Sequence, residues 1–231
     1  GTGNYNPKTA RAYEDLGILS ADPELTEDLT KLFNQLSGFA PQSTYSRLLV
    51  APSTLRSGIF ERIDREIENQ KAGKPAGIQL KLNSILDEGF VEKIYQASQA
   101  GVKIDLLVRG ICAVQPGIKG ISENITVKSV LGRFLEHSRI FHFINGGNNE
   151  YWIGSADLMG RNLDRRVESL VRIDKKEHQH RLQEILDLGL SPDSSSWQLS
   201  GTDWVRVSKN SKGQALLDVH SAFIHTYSRE R

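Results

Sequence analysis

Between residues 45 and 108 the chain alternates short apolar runs with amphipathic stripes, and no other stretch limits the fold so tightly. Residues 45–50 read as a strand. Leu55, Ile59, Ile63 and Ile67 then recur on one face of a helix that ends near Gly73. Residues 77–82 form a second strand. The helix that follows from about Asp87 carries Val91, Ile94, Tyr95 and Ser98 on one stripe and stops at Gly101, before a third strand at 102–108. Strands joined through helices are the signature of crossover connections, which predicts a mostly parallel sheet covered by helices. Ligands of such sheets bind beyond the carboxyl ends of the strands, and Arg109 and Gly110 lie just past one.

Other elements are read around this core. Residues 1–21 suggest a strand end, a polar loop and a short apolar strand at 16–19. Asp22, Pro23 and Glu24 start a helix: an N-capping carboxylate, a proline at the first helical position and an acid in the first turn. Leu25, Leu29, Leu32, Phe33 and Leu36 give it an apolar face, Gly38 closes it, and 39–44 read as a linker. Downstream come a loop at 110–120, a strand at 125–130 and two strands flanking Asn145-Gly-Gly-Asn-Asn149, whose residues tolerate the positive φ of a hairpin turn. Residues 166–173 alternate as a half-buried strand, 175–188 as a helix, and 191–196 as a linker. The expectation is an α/β chain with a main unit at 41–190, the end of another unit at 1–40 and a small tail unit at 191–231.

Composition narrows the function classes. With 38% hydrophobic and 25% charged residues, the chain has the makeup of a globular protein rather than a disordered one. A net charge of +1 gives no global field for polyanions, so an anion site must be a local cluster. One candidate runs from Gly101 to Arg139, where Lys103, Arg109, Lys119, Lys128, Arg133 and Arg139 face only Asp105, Glu123 and Glu136. Cys112 is the single cysteine, which excludes an internal disulfide and a cysteine-based metal centre and fits a reducing compartment. No run reaches the length of a membrane span, and no signal peptide opens the sequence. Its only methionine is Met159, so a piece of a longer protein is expected.

The chemistry concentrates between Arg133 and Glu168. His137 stands two residues before Arg139 on an apolar run, and a second run ends in Gly154-Ser-Ala-Asp157, with Arg161, Arg165 and Arg166 close behind. One imidazole, several guanidiniums and a small-residue cradle suggest phosphoryl chemistry. An echo appears 153 residues upstream: Gly1-Thr-Gly-Asn4 resembles Gly154-Ser-Ala-Asp157, and Asp15 corresponds to Glu168. Chance likeness between glycine-rich segments is one explanation. Two similar units, with residues 1–4 ending the active-site hairpin of the first, is the other.

These residues resemble a known family. His137-x-Arg139 with Gly154-Ser-x-Asp157 is similar to the His-x-Lys and Gly-Ser-x-Asn signature of the phospholipase D superfamily. Four longer segments resemble the long bacterial polyphosphate kinases: Gly1-Thr-Gly-Asn-Tyr-Asn-Pro-Lys-Thr-Ala-Arg11, Leu106-Leu-Val-Arg-Gly-Ile-Cys112, Arg133-Phe-Leu-Glu-His-Ser-Arg139 and Ser155-Ala-Asp-Leu-Met-Gly-Arg-Asn-Leu-Asp-Arg165. The resemblance implies a phospholipase D-like mixed sheet with helices on both faces. It further implies reversible transfer of the ATP terminal phosphate to polyphosphate, through a phosphohistidine in a Lys-Thr-His-Ala-Lys segment upstream of Gly1. Partners would be ATP, ADP and inorganic polyphosphate, with no nucleic acid, and the full-length protein would be a homo-oligomer. Mg2+ would accompany ATP, with no metal ligand identified in this chain. A cytoplasmic location is implied, extending to peripheral attachment at the inner membrane face.

The resemblance assigns nucleotide contacts to Tyr13, Arg109 and His137. His137 would act as the catalytic assistant, donating a proton or stabilising charge on a transferring phosphoryl group; the plain alternative is a core imidazole. Arg109 would bind phosphate bidentately, or else pair with Glu136 or Asp105. Tyr13 would stack on adenine, bond a phosphate, or simply pack beside Leu16. Arg139, Arg161, Arg165 and Arg166 would complete a polyphosphate path, unless Asp164 and Glu168 neutralise some of them. His178, His180, His220 and His225 read as unremarkable residues, and Cys112 as an inert thiol. Two other functions stay open. One is a phospholipase D-like phosphodiesterase, which Arg139 in place of lysine and Asp157 in place of asparagine count against. The other is a non-catalytic fragment that binds nucleotide or polyphosphate.

Overall fold

The structure, a computed structural model, describes residues 1–3, 5–39 and 44–228. Its strands are β1 (Tyr13–Glu14), β2 (Leu48–Ala51), β3 (Ile78–Leu82), β4 (Ile104–Val108), β5 (Ile125–Ser129), β6 (Leu135–Glu136), β7 (Ile140–Phe143), β8 (Glu150–Gly154), β9 (Glu168–Ile173), β10 (Ser196–Ser200) and β11 (Asp203–Val207). Its α-helices are α1 (Pro23–Leu36), α2 (Leu55–Lys71), α3 (Glu88–Gln99), α4 (Lys176–Leu190) and α5 (Val219–Ser228). Nine strands form one mixed sheet in the order β11-β10-β5-β4-β3-β7-β8-β9-β2.

Within this sheet only β3, β4 and β5 run parallel to their neighbours, so the mostly parallel sheet expected from the alternating pattern is corrected. The strand β2 is carried by α2 to the far edge, where it pairs antiparallel with β9. The β7–β8 hairpin and β9 then fill the gap between β2 and β3 in antiparallel sense. Its turn uses positive φ at Asn145, Gly146 and Gly147, as the sequence requires. The segment 16–19 is not a strand. Leu16 and Ile18 pack against the core while Leu19 faces solvent; the pairing falls instead on β1, which lies parallel to β6. Residues 40–43 of the expected linker, and Asn4 of the expected hairpin end, lie outside the described residues.

Strand alternation sorts side chains between two helical layers. Ile78, Leu80 and Leu82 of β3 and Ile104, Leu106 and Val108 of β4 join Leu55, Ile59, Ile63, Phe90 and Ile94 of α2 and α3 in the main core. Ile140, Tyr151 and Ile153 face the other way, onto Leu182, Ile185 and Leu186 of α4. The intervening β3 residues, Gln79 and Lys81, therefore also point to the α4 side. There Lys128 of β5 caps α4, donating to the carbonyls of Leu190 at 2.9 Å and Ser191 at 3.1 Å, where a helix C-terminus attracts a cation.

Both ends of the chain attach to this frame. Asp22 caps α1 through the Leu25 N–H at 3.0 Å. Buried Asp28 of α1 then accepts the backbone N–H groups of Ser46, Arg47 and Leu48, tying the helix to the start of β2. The residues after 190, expected as a small tail unit, extend the main sheet: β10 pairs with β5, β11 completes a hairpin, and α5 lays Val219 against Leu107 and Val130.

Candidate functional site

The carboxyl ends of β3, β4 and β8 meet the amino end of antiparallel β7 at one sheet edge, and His137 sits there between β6 and β7. Its Nδ1 lies 2.8 Å from Asp15 Oδ1. Burial alone would raise the Asp15 carboxyl. The bonds to His137 and Thr2, with the charges of His137 and Arg139, more than offset that and hold it below its ordinary range. An ionised carboxylate can only accept, so Nδ1 carries the proton of this bond, while Nε2 lies 3.2 Å from the Arg139 guanidinium. The Tyr13 ring lies 4.9 Å from the imidazole at 47°. Tyr13 and Asp15 come from the first 40 residues and His137 from the main unit, and the β1–β6 pairing joins them: the Leu135 N–H donates to Ala12 and the His137 N–H to Glu14.

Beneath the imidazole, Arg139 is 6% exposed and paired with Asp157 at 2.9 Å. Its other nitrogen donates to the carbonyls of His137 at 2.7 Å and Thr2 at 3.2 Å. Asp157 also accepts the N–H groups of Asn83 and Ser84, fixing the loop after β3. This pair is thus the floor of the site, and Arg139 does not lie along its surface. The glycine before Ser155 has a steric cause: a Cβ on Gly154 would stand 1.9 Å from the Ser169 carbonyl oxygen.

Arg109 leaves the carboxyl end of β4 half-buried. Its Nε donates to the Glu136 carbonyl at 2.8 Å, and a terminal nitrogen bonds Asn83. Neither suggested carboxylate partner, Glu136 or Asp105, forms an ion pair with it among the described residues. Burial, then the repulsion of Arg139, pushes the guanidinium below its usual range, and the charges of Asp157 and Glu136 only partly offset this. Arg161 and Arg165 are exposed on a single wide turn, and exposed Arg166 stands 3.9 Å from Glu168. Asp164 bonds Arg56 rather than these neighbours.

Sequence reasoning missed the ionic cluster behind the site. Lys81, 3% exposed, places Nζ 2.7 Å from Glu14 and 2.6 Å from Glu136, and 2.6 Å from the Ser138 hydroxyl. Burial would lower the Lys81 ammonium, but the two carboxylates raise it, so it stays charged. Burial would raise the Glu136 carboxyl, yet Lys81 and His220 bring it down to about 2. The available signal was a lysine inside the apolar β3 run, at the phase facing away from the main core.

The echo over 153 residues recurs in hydrogen bonds. Thr2 Oγ1 donates to Asp15 at 2.9 Å as Ser155 Oγ donates to Glu168. The Thr2 N–H bonds the Leu16 carbonyl at 2.8 Å, as the Ser155 N–H bonds that of Ser169 at 3.1 Å. Helix α1 stands to α4 at the same offset, but Phe33 is 67% exposed where its counterpart Leu186 is buried.

A mixed sheet clothed by helices, with His-x-Arg and Gly-Ser-x-Asp meeting over one buried ion pair, defines a mixed α/β protein with a histidine-centred site. The chain belongs to the polyphosphate kinase family. The family model described as polyphosphate kinase C-terminal domain 2 matches residues 48–216, and that described as C-terminal domain 1 matches residues 1–42. The polyphosphate kinase of Streptomyces coelicolor is 53% identical over 232 residues, covering all of this chain and 31% of the relative. That of Prochlorococcus marinus is 53% identical over 86% of this chain and 28% of its own length. The crystal structure of polyphosphate kinase from Porphyromonas gingivalis superposes with a TM-score of 0.92 at 35% identity, covering 99% of this chain and 35% of that one. The chain thus spans about a third of the length of these relatives. Among the described residues, no helix is long and apolar enough to cross a membrane.

Proposed function

We propose that this chain is the C-terminal part of an ATP:polyphosphate phosphotransferase and supplies the nucleotide-binding and assisting half of its site. The observation that carries the reading is the His137–Asp15 pair at 2.8 Å, flanked by Tyr13 and by the under-compensated Arg109. The paired histidine, implied by the family, belongs to the part of the protein upstream of these residues. Its nitrogen attacks the terminal phosphorus of ATP; the bond to the bridging oxygen breaks and ADP leaves. The N–P bond then breaks as a terminal oxygen of polyphosphate takes the phosphoryl group, and each step runs in reverse.

In this scheme His137 holds a proton at Nε2 towards the transferring group, and Asp15 keeps the ring oriented and supports its positive charge. Arg109 grips phosphate oxygens, and Tyr13 fixes the nucleotide beside the imidazole. Arg161, Arg165 and Arg166, exposed nearby, form the path for the polyanion, while Arg139 supports the floor. Mg2+ arrives with the ATP phosphates. Asp15, Asp157, Glu14 and Glu136 are each bonded to a cation or an N–H group, so none is assigned to the metal. A cytoplasmic, homo-oligomeric full-length protein completes the reading.

The test uses the full-length protein. Arg109→Ala and His137→Ala are expected to cut polyphosphate synthesis by about 100-fold or more, the usual scale for a general acid or phosphate clamp, with little change in melting temperature. The 231-residue chain alone is expected to take no acid-labile label from γ-labelled ATP. Wild-type synthesis in both variants, or labelling of the isolated chain, would refute the assignment.

A further inference from the structure

His220 lies outside every motif discussed above, yet it is among the most enclosed polar side chains, 1% exposed. Asp218 starts α5 by accepting the Ser221 N–H at 2.8 Å, which sets His220 on the first turn facing inward. Its Nδ1 accepts the backbone N–H of Phe134 at 3.2 Å. That bond puts the ring proton on Nε2, which donates to Glu136 Oε1 at 2.6 Å. The ring rests on the backbone at Gly132, where a Cβ would stand 2.5 Å from Nδ1, and meets the Phe134 ring edge-on at 5.5 Å. One imidazole therefore grips residues 132–136 three ways, immediately before His137.

What it grips is the part of the site with least support of its own. The strands β1 and β6 are two residues each, too short to hold a register unaided. The Glu136 carbonyl receives Arg109, its carboxylate is shared by His220 and Lys81, and the next residue is His137. A shift of Glu136 moves the guanidinium and the imidazole together. The geometry points to His220 as a positioning residue of the phosphoryl-transfer site, acting through Glu136 on Arg109 and His137, and so to helix α5 as a working part of that site. The inference rests on the proposed function above.

Two substitutions separate the two ring contacts in the full-length protein. His220→Asn keeps an acceptor near Nδ1 for the Phe134 N–H but stops short of Glu136. His220→Gln extends an amide N–H to the position of Nε2 and restores the Glu136 bond. Expected for His220→Asn is a fall in kcat of about tenfold and a rise in nucleotide KM of similar size, the equivalent of one lost positioning bond. His220→Gln should recover most of both, and His225→Ala, on the exposed side of α5, should match the wild type. Loss of folded protein alone would lower kcat and leave KM unchanged. In an Arg109→Ala background, His220→Asn should add little to KM, because the two act in series. Wild-type KM in His220→Asn, equal defects in the Asn and Gln variants, or full additivity with Arg109→Ala would overturn the proposal while leaving the site reading intact. Wild-type kinetics in Arg109→Ala itself would overturn both.

Discussion

Replacing Lys81 by methionine removes the cation that Glu14 and Glu136 share and leaves two carboxylates facing each other in a closed pocket. The cost can be worked from the structure. Lys81 and His220 together hold the Glu136 carboxyl at about 2 instead of 4.5, a net effect of about 3 kcal/mol at about 1.4 kcal/mol per pH unit, of which Lys81 supplies part. Breaking a buried pair from one side generally costs about 3–5 kcal/mol, which sets the scale for the variant. The penalty should fall on the β1–β6 register, whose amides at Leu135 and His137 are bonded to Ala12 and Glu14. Hydrogen exchange of the full-length protein, read on a peptide covering 133–139, is expected to show about 100-fold less protection in Lys81→Met. The pH dependence has a definite sign. A carboxyl whose folded value is depressed contributes its full stability above about 4.5 and loses it as pH falls towards 2. In the variant Glu136 no longer has that full depression to lose, so the gap to wild type should narrow as pH falls from about 4.5 towards 2. Protection within about threefold of wild type, or a gap that widens on acidification, would refute this account of the cluster.

Two further outcomes follow from single contacts. Asp15→Asn retains the shape of the His137 partner but not its charge, and should lower kcat about tenfold or more with a smaller effect on nucleotide KM; an unchanged kcat would show that the pair is not used in transfer. Gly154→Ala forces a Cβ to 1.9 Å from the Ser169 carbonyl oxygen, where backbone must move, so a loss of about 3 kcal/mol or more is expected in urea unfolding of the full-length protein; a stability within 1 kcal/mol of wild type would contradict the β8–β9 approach.

Much of the frame was legible because its signals are local. Asp22-Pro23-Glu24 starts α1, the Leu55–Ile59–Ile63–Ile67 stripe is α2, and Asn145-Gly-Gly makes the β7–β8 turn. Strand order was not legible, since β2 and β3 are neighbours in sequence but stand three strands apart in the sheet. Periodicity says which face of a strand is apolar and nothing about which strand lies beside it. The same limit governed the site. Motif resemblance singles out His137, Arg109 and Tyr13 as candidates, but the residues that hold them come from distant places: Asp15 lies 122 positions from His137, and His220 lies 84 from Glu136. Tyr13 was placed on a loop before a strand at 16–19; the pairing partner that turns Tyr13 itself into strand is β6, invisible until the two units are brought together. His220 reads as unremarkable in sequence because its partners, the Phe134 N–H and the Glu136 carboxylate, lie 86 and 84 positions away.

The bonding of Arg109 has a kinetic consequence. Arg139 is balanced by Asp157, and Lys81 by Glu14 and Glu136, so these charges cancel within a few ångströms. Arg109 instead donates to an amide and a carbonyl, both neutral, and keeps its charge for whatever arrives. On the proposed function, ionic screening over about 8–10 Å in physiological salt confines this charge to a phosphate already at the mouth of the site, so Arg109 would contribute retention after encounter rather than rate of approach.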